Sequence, residues 1–80
     1  MDVMVTRAAD AWNAWTLTDL LGRPMGRITE YLGPRFIIEP SERMRSVMKK
    51  VAPGPHPSLD AALAEIEKHT RGVCRLAAQP

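Results

Sequence analysis

The sequence predicts an α+β domain: a small three-stranded antiparallel meander with a C-terminal α-helix packed on one face, plus a short intervening helix. Three observations carry this expectation. Between residues 14 and 39, three short runs alternate apolar and polar residues with the period of two that a half-buried strand requires. Beyond residue 58, the apolar residues return at helical spacing between a capping serine and a stopping glycine. Between these parts lies "APGPHPS", where Pro53, Pro55 and Pro57 push their predecessors out of helical geometry and make an extended connector.

The first strand is expected near 14–19, where Trp15, Leu17 and Asp19 share one face and Ala14, Thr16 and Thr18 the other. The second, near 24–31, sets Gly26, Ile28 and Glu30 against Met25, Arg27, Thr29 and Tyr31. The third, near 35–39, sets Phe36 and Ile38 against Arg35, Ile37 and Glu39, and Pro40 ends it. Each run is rich in β-branched and aromatic residues and bounded by turn chemistry, with "LGPR" joining the second to the third. In 41–51, Met44, Val47, Met48 and Val51 follow helical spacing behind Ser41, which predicts a short amphipathic helix with a basic outer face, the rival being an irregular loop because so short a helix is marginal without packing. The helix over 58–71 has Ser58 as N-cap, Asp60 in its first turn and Lys68, His69 and Arg71 near its end. Gly72 is expected to supply its left-handed stop. The predicted core is Trp15, Leu17, Ile28, Phe36, Ile38, Leu59, Ala62, Leu63, Ile66 and Val73, closed by Met44 and Met48.

Eighty residues suit one domain with a thin core. It is expected over 12–76, with a flexible N-terminal segment at 1–11 and a flexible tail at 77–80. One cysteine, Cys74, cannot form an internal disulfide, which favours a reducing cytoplasm. No signal peptide is legible, and no apolar run approaches the ~18 residues of a membrane span. The net charge of +2 is too small to imply a polyanionic partner, but its distribution is uneven. Residues 43–50 hold Arg43, Arg45, Lys49 and Lys50 with no acid among them.

"DLLGRPMGRI" raises the question of a phosphate-binding loop. Such a loop needs glycines at a defined spacing followed directly by a helix, and here Gly22 and Gly26 fit neither common pattern and lead into a strand. The stretch therefore reads as a hairpin bend, with Gly22 at positive φ and Gly26 admitting a close approach of the helix. Catalysis finds no purchase. His69 and Cys74 are badly phased around a helix, the serines have capping or surface roles, and Asp19, Glu30 and Glu39 have no evident reason to converge. His56, His69 and Cys74 fall short of a four-ligand zinc pattern. The expectation is no enzyme, no metal and no cofactor.

Surfaces remain. The outer sheet face is predicted to show Thr16, Thr18, Met25, Arg27, Thr29, Tyr31, Arg35, Ile37 and Glu39, with Trp12 adding apolar character. A three-stranded meander with a C-terminal helix resembles, in architecture alone, the small DNA-reading domains of plant transcription factors and phage integrases. That resemblance implies a sheet set in the major groove, but no motif residues match individually. The favoured reading is a non-enzymatic protein-interaction module binding a protein partner or a second copy of itself. Its candidate surface is Arg27, Tyr31, Arg35 and Ile37 on the sheet together with Arg43, Arg45, Lys49 and Lys50. The alternative is weak nucleic-acid binding by both sets together.

Overall fold

A computed structural model describes residues 2–76 and carries the α+β class, with a mixed five-stranded sheet where the sequence suggests three strands. Strands β1 (Val3–Arg7), β2 (Ala14–Thr18), β3 (Pro24–Tyr31), β4 (Arg35–Pro40) and β5 (Cys74–Leu76) stand in the order β4-β3-β2-β1-β5. The expected meander is present as β2, β3 and β4. Within the N-terminal stretch expected to be flexible, Val3–Arg7 form β1, which pairs antiparallel with β2 and parallel with β5, and Val3 and Val5 are only 1% exposed. The tail at 77–80 lies outside the described residues.

Helix α1 (Leu59–Thr70) starts where Ser58 accepts the Ala61 amide at 3.0 Å. It buries Ala62, Leu63 and Ile66 on Val3, Val5, Leu17, Ile28, Phe36 and Ile38, and it touches β4 and β5, the two outermost strands. Its span explains this reach: twelve residues at ~1.5 Å give about 18 Å, and five strands at ~4.8 Å spacing are about 19 Å across. Leu59 and Trp15 are partly buried at the margins of the core, and Trp15 stacks at a tilt on Phe36 with centroids 5.8 Å apart. The left-handed stop falls on Arg71, at φ 57°, and not on Gly72, so the chain turns one residue early. Val73 consequently leaves the core and is half exposed.

The sheet departs from the expected alternation at one point. Leu17 pairs with Gly26 but Thr18 pairs with Pro24, so Met25 is an extra residue on β3. This bulge turns Met25 into the core, where it is 1% exposed, and removes it from the outer face to which simple alternation assigns it. Gly26 sits at φ +148° beside the bulge, and a Cβ there would lie 2.5 Å from the Glu39 carbonyl oxygen and 2.8 Å from the Pro40 Cα. The close approach is therefore made by the end of β4, not by the helix.

Residues 41–51 form no regular α-helix. A 3-10 turn at Glu42–Met44 leads into further turns, while Met44, Met48 and Val51 are buried and Val47 faces outward. Apolar spacing was thus legible, but so short a segment is shaped by its core contacts rather than by helix propensity. The proline connector then runs along β4. Phe36 and His56 exchange backbone hydrogen bonds at 2.9 Å, and Ile38 donates to the Pro53 carbonyl at 2.8 Å. His56, between two prolines, supplies the donor on this covering segment, so the sheet edge is closed by chain that cannot easily extend it.

Two substitutions separate the roles of the glycines. Gly26→Val should lower stability by roughly 1–3 kcal/mol or more, from both overlap with β4 and backbone strain. Gly22, at φ +81° with nothing within 4 Å of its Cβ position, should cost only about 1–2 kcal/mol as alanine. Equal shifts in melting temperature would mean that the contact with β4 is not limiting. Deleting residues 2–7 removes Val3 and Val5 and the strand that joins β5 to β2, and should abolish cooperative thermal unfolding.

Candidate interaction surface

The β2–β3 bend explains what the glycine-rich stretch does. Asp19 Oδ1 accepts the amides of Leu21 and Arg23, each at 2.9 Å, and Oδ2 takes Arg23 Nε at 2.7 Å. The Arg43 guanidinium stands 3.6 Å from the same Oδ2. Gly22 has the expected positive φ and donates to the Asp19 carbonyl at 3.0 Å. Amides of this loop that resemble a phosphate cradle are already committed to the chain's own carboxylate. The Arg23 amide above all holds the Asp19 carboxyl below its ordinary value, burial opposes this, and the Arg23 side chain and Leu21 amide add to the lowering.

The three acids considered for paired catalysis stay apart. Asp19 closes the β2–β3 bend, and Glu30 stands opposite Phe36 near the other end of β3. Glu39 lies in register with Arg27 and accepts from Thr29 Oγ1 at 3.2 Å. Cys74 is on β5, with Sγ 3.6 Å from the Leu63 carbonyl oxygen and its amide donating to Glu67 at 2.7 Å. Burial first, then the Glu67 and Asp2 carboxylates, push its thiol up to about 11. His69 Nε2 lies 3.3 Å from Glu65 Oε2, which also accepts the Ala52 amide. The latter bond most strongly lowers the Glu65 carboxyl. His56 Nε2 reaches the Ala52 carbonyl at 2.8 Å within the connector, while His69 pairs with Glu65 inside α1. Among the described residues, no three His, Cys, Asp or Glu side chains gather as a metal site.

Helix α1 covers one face of the sheet, and the other face lies open. Cross-strand register sets Thr6, Thr16, Arg27 and Glu39 in one row, Ala14, Thr29 and Ile37 in the next, and Tyr31 beside Arg35 at the end. Arg27 donates to Asp10 at 3.1 Å, and Glu39 is held by Thr29, so the middle of this face is largely neutralised from within. Its Nε has no partner among the described residues.

At the β3–β4 end, Trp12, Asn13, Glu30, Tyr31, Leu32, Gly33 and Pro34 line a groove of about 730 Å³. Trp12 is 78% exposed, Leu32 93% and Tyr31 48%. Arg7 fixes the Trp12 segment by donating to its carbonyl at 2.7 Å, and Asn13 Nδ2 donates to the Glu30 carbonyl at 3.0 Å. This apolar end was only partly legible, because Trp12 and Leu32 sit in connections where no periodicity marks a face. The signal was simply a large apolar residue inside turn chemistry.

The structure does not bring the two halves of the expected surface together. Arg27, Tyr31, Arg35 and Ile37 belong to the open face. Arg43, Arg45, Lys49 and Lys50 belong to a segment whose Met44, Met48 and Val51 join the helix-side core. Arg45, Lys49 and Lys50 are exposed and have no carboxylate partner among the described residues, whereas Arg43 is drawn to Asp19 and the Pro24 carbonyl. No described helix is long and apolar enough to cross a membrane. Comparison with known proteins finds no matching family model, no matching curated protein and no matching solved structure.

The Asp19 turn predicts a pH dependence of fixed sign. Its folded carboxyl titrates below the unfolded value of 3.8, so its stabilisation is complete above that pH and is lost as pH falls through the folded value. The gap in melting temperature between the parent chain and Asp19→Asn should be constant near neutrality and shrink below about pH 4. A gap unchanged down to about pH 2 would show that the charge of Asp19 contributes nothing to the turn.

Proposed function

We propose that this chain is a small non-enzymatic protein-interaction module that binds a protein partner through the apolar end of its open sheet face. The observation that carries the reading is the exposure of Trp12, Tyr31 and Leu32 around one groove. Here two aromatic rings and a leucine are exposed around one groove, and aromatic residues at the centre of a desolvated contact dominate binding energy. No cofactor enters this reading. A single cysteine, which cannot form an internal disulfide, suits a reducing, cytoplasmic setting.

The runner-up is nucleic acid, and the free cations Arg45, Lys49 and Lys50 are the observation that favours it. A duplex resting on them meets the helix side of the domain, away from Arg27, Tyr31 and Arg35, so the contact would be narrow. Salt distinguishes the two. A contact through about four phosphates weakens roughly 100-fold between about 50 and 200 mM salt, whereas an apolar contact hardly changes. A partner captured by the parent chain should be lost with Trp12→Ala and Leu32→Ser and retained with Lys49→Glu/Lys50→Glu. The apolar substitutions should leave stability within about 0.5 kcal/mol, since both side chains are exposed. Capture indifferent to Trp12 and Leu32, or salt-sensitive binding of DNA or RNA tighter than about 100 μM, would overturn the proposal.

A further inference from the structure

We propose that the β2–β3 turn and the basic segment beside it form a peripheral membrane contact, in which Leu20 and Leu21 enter the interface of an anionic bilayer and Arg45, Lys49 and Lys50 meet its headgroups. This surface is separate from the Trp12 groove and does not depend on it. Leu20 is 66% exposed and Leu21 79%, side by side at the tip of the turn, and neither belongs to the core. Turns favour small polar residues and glycine, so two adjacent leucines at the tip expose apolar surface that the fold itself does not use. The turn is also prepared for a medium poor in water, where backbone amides must be satisfied within the chain. The Asp19 amide donates to the Arg23 carbonyl and the Gly22 amide to the Asp19 carbonyl, each at 3.0 Å. The Leu21 and Arg23 amides both donate to Asp19 Oδ1 at 2.9 Å. Four of the five amides over 19–23 are thus bonded inside the turn.

The fold brings charge to this anchor. Leu20 and Leu21 line one cleft with Arg23, Arg43 and Met44, which joins the turn to the start of the basic segment. Arg45 and Lys49 border Pro40, the last residue of β4, which pairs with Gly26 just beyond the turn. Arg45, Lys49 and Lys50 are exposed and have no carboxylate partner among the described residues. The acids at this end are Asp19, shared by Arg23 and Arg43, Asp2, which pairs with Arg75, and the exposed Glu42. The surroundings of the leucines are therefore positive on balance, and an anionic lipid surface is their complement. Cations alone hold a bilayer loosely and two leucines alone do not select its charge, but stable peripheral attachment takes two such signals together. The Trp12 groove is apolar as well, yet no Lys or Arg lines it. Nucleic acid matches the charge of the basic segment but gives the leucines no apolar phase to enter.

Co-sedimentation with vesicles of phosphatidylcholine alone, and of phosphatidylcholine with about 30% phosphatidylserine, tests this directly. The parent chain should bind the anionic vesicles at least ~10-fold more tightly than the neutral ones at about 100 mM salt, and lose most of that preference at about 500 mM. Leu20→Ser/Leu21→Ser should weaken binding to the anionic vesicles at least ~10-fold, because two leucines no longer leave water. Lys49→Glu/Lys50→Glu should weaken it by at least ~10-fold through lost attraction to the headgroups. Trp12→Ala should bind these vesicles as the parent does, so failure of the groove and failure of this contact are read separately. Matching melting curves establish that the variants are folded. Absence of vesicle binding by the parent at low salt, equal binding to both kinds of vesicle, or binding unchanged by the leucine substitutions would each overturn the proposal. Loss of binding with Trp12→Ala would do the same. Duplex or single-stranded nucleic acid bound equally well by the parent and the leucine variant, with vesicles ignored, would overturn it in favour of a nucleic-acid contact.

Discussion

The packing of Ala62, Leu63 and Ile66 on Leu17, Ile28 and Ile38 is the contact on which the rest of this domain depends. Among the described residues, one helix of twelve residues is the only long element available to cover a sheet, and its length matches the width of five strands. Three strands would leave its ends hanging over solvent. The addition of β1 and β5 thus does more than enlarge the sheet, because it places Val3 and Val5 beneath the C-terminal half of the core and gives the helix a platform of its own length. The described residues include no second α-helix for the opposite face. Threonines, small residues and internally paired charges make that face tolerable in water, and its apolar end is the exception.

The local irregularities serve the same packing. The bulge at Met25 adds a large side chain to the core at the point where β3 begins, and Gly26 lets the end of β4 cross close to it. From there the chain enters the 3-10 turn, and Arg43 reaches back to the Pro24 carbonyl and toward Asp19. The Asp19 carboxylate consequently ties together the β2–β3 bend and the segment after β4, two parts of the chain that are remote in sequence. Glu65 does the equivalent for the connector, joining it to α1 by accepting the Ala52 amide. Polar side chains in this domain mostly position backbone, which is why residues suggestive of chemistry turn out to be turn and connector fasteners.

How much of this was legible follows from the physics of each signal. Helix α1 and strands β2, β3 and β4 were readable to within about two residues, because capping serine, helical spacing and period-two alternation are local properties. Strand β1 was missed although "VMVTR" alternates, since five residues near a terminus carry no turn signal before them. Strand β5 has three residues and pairs in parallel with β1 from the far end of the chain, a contact that no local pattern encodes. Met25 was misplaced because a bulge changes the phase of alternation without changing composition. Arg71 took the left-handed position from Gly72 because the turn is dictated by where β5 must begin, and propensity yields to that demand.

The candidate surface was legible residue by residue but not as an assembly. Charge on this chain clusters in sequence at 43–50, while the exposed aromatic residues cluster only in space, where the β1–β2 connection meets the β3–β4 turn. The first kind of cluster is visible without a fold and is commonly a solvated surface, as it is for Lys49 and Lys50 outside Met48. The second kind arises only after Asn13 and Glu30 bond across neighbouring strands and Arg7 anchors Trp12. Its energetic weight is also different in kind. Cations in water lose hydration when they meet a partner and are screened by salt, whereas an exposed indole beside Leu32 gains by leaving water. The open end of the sheet therefore has a thermodynamic reason to be covered that the basic segment by itself lacks.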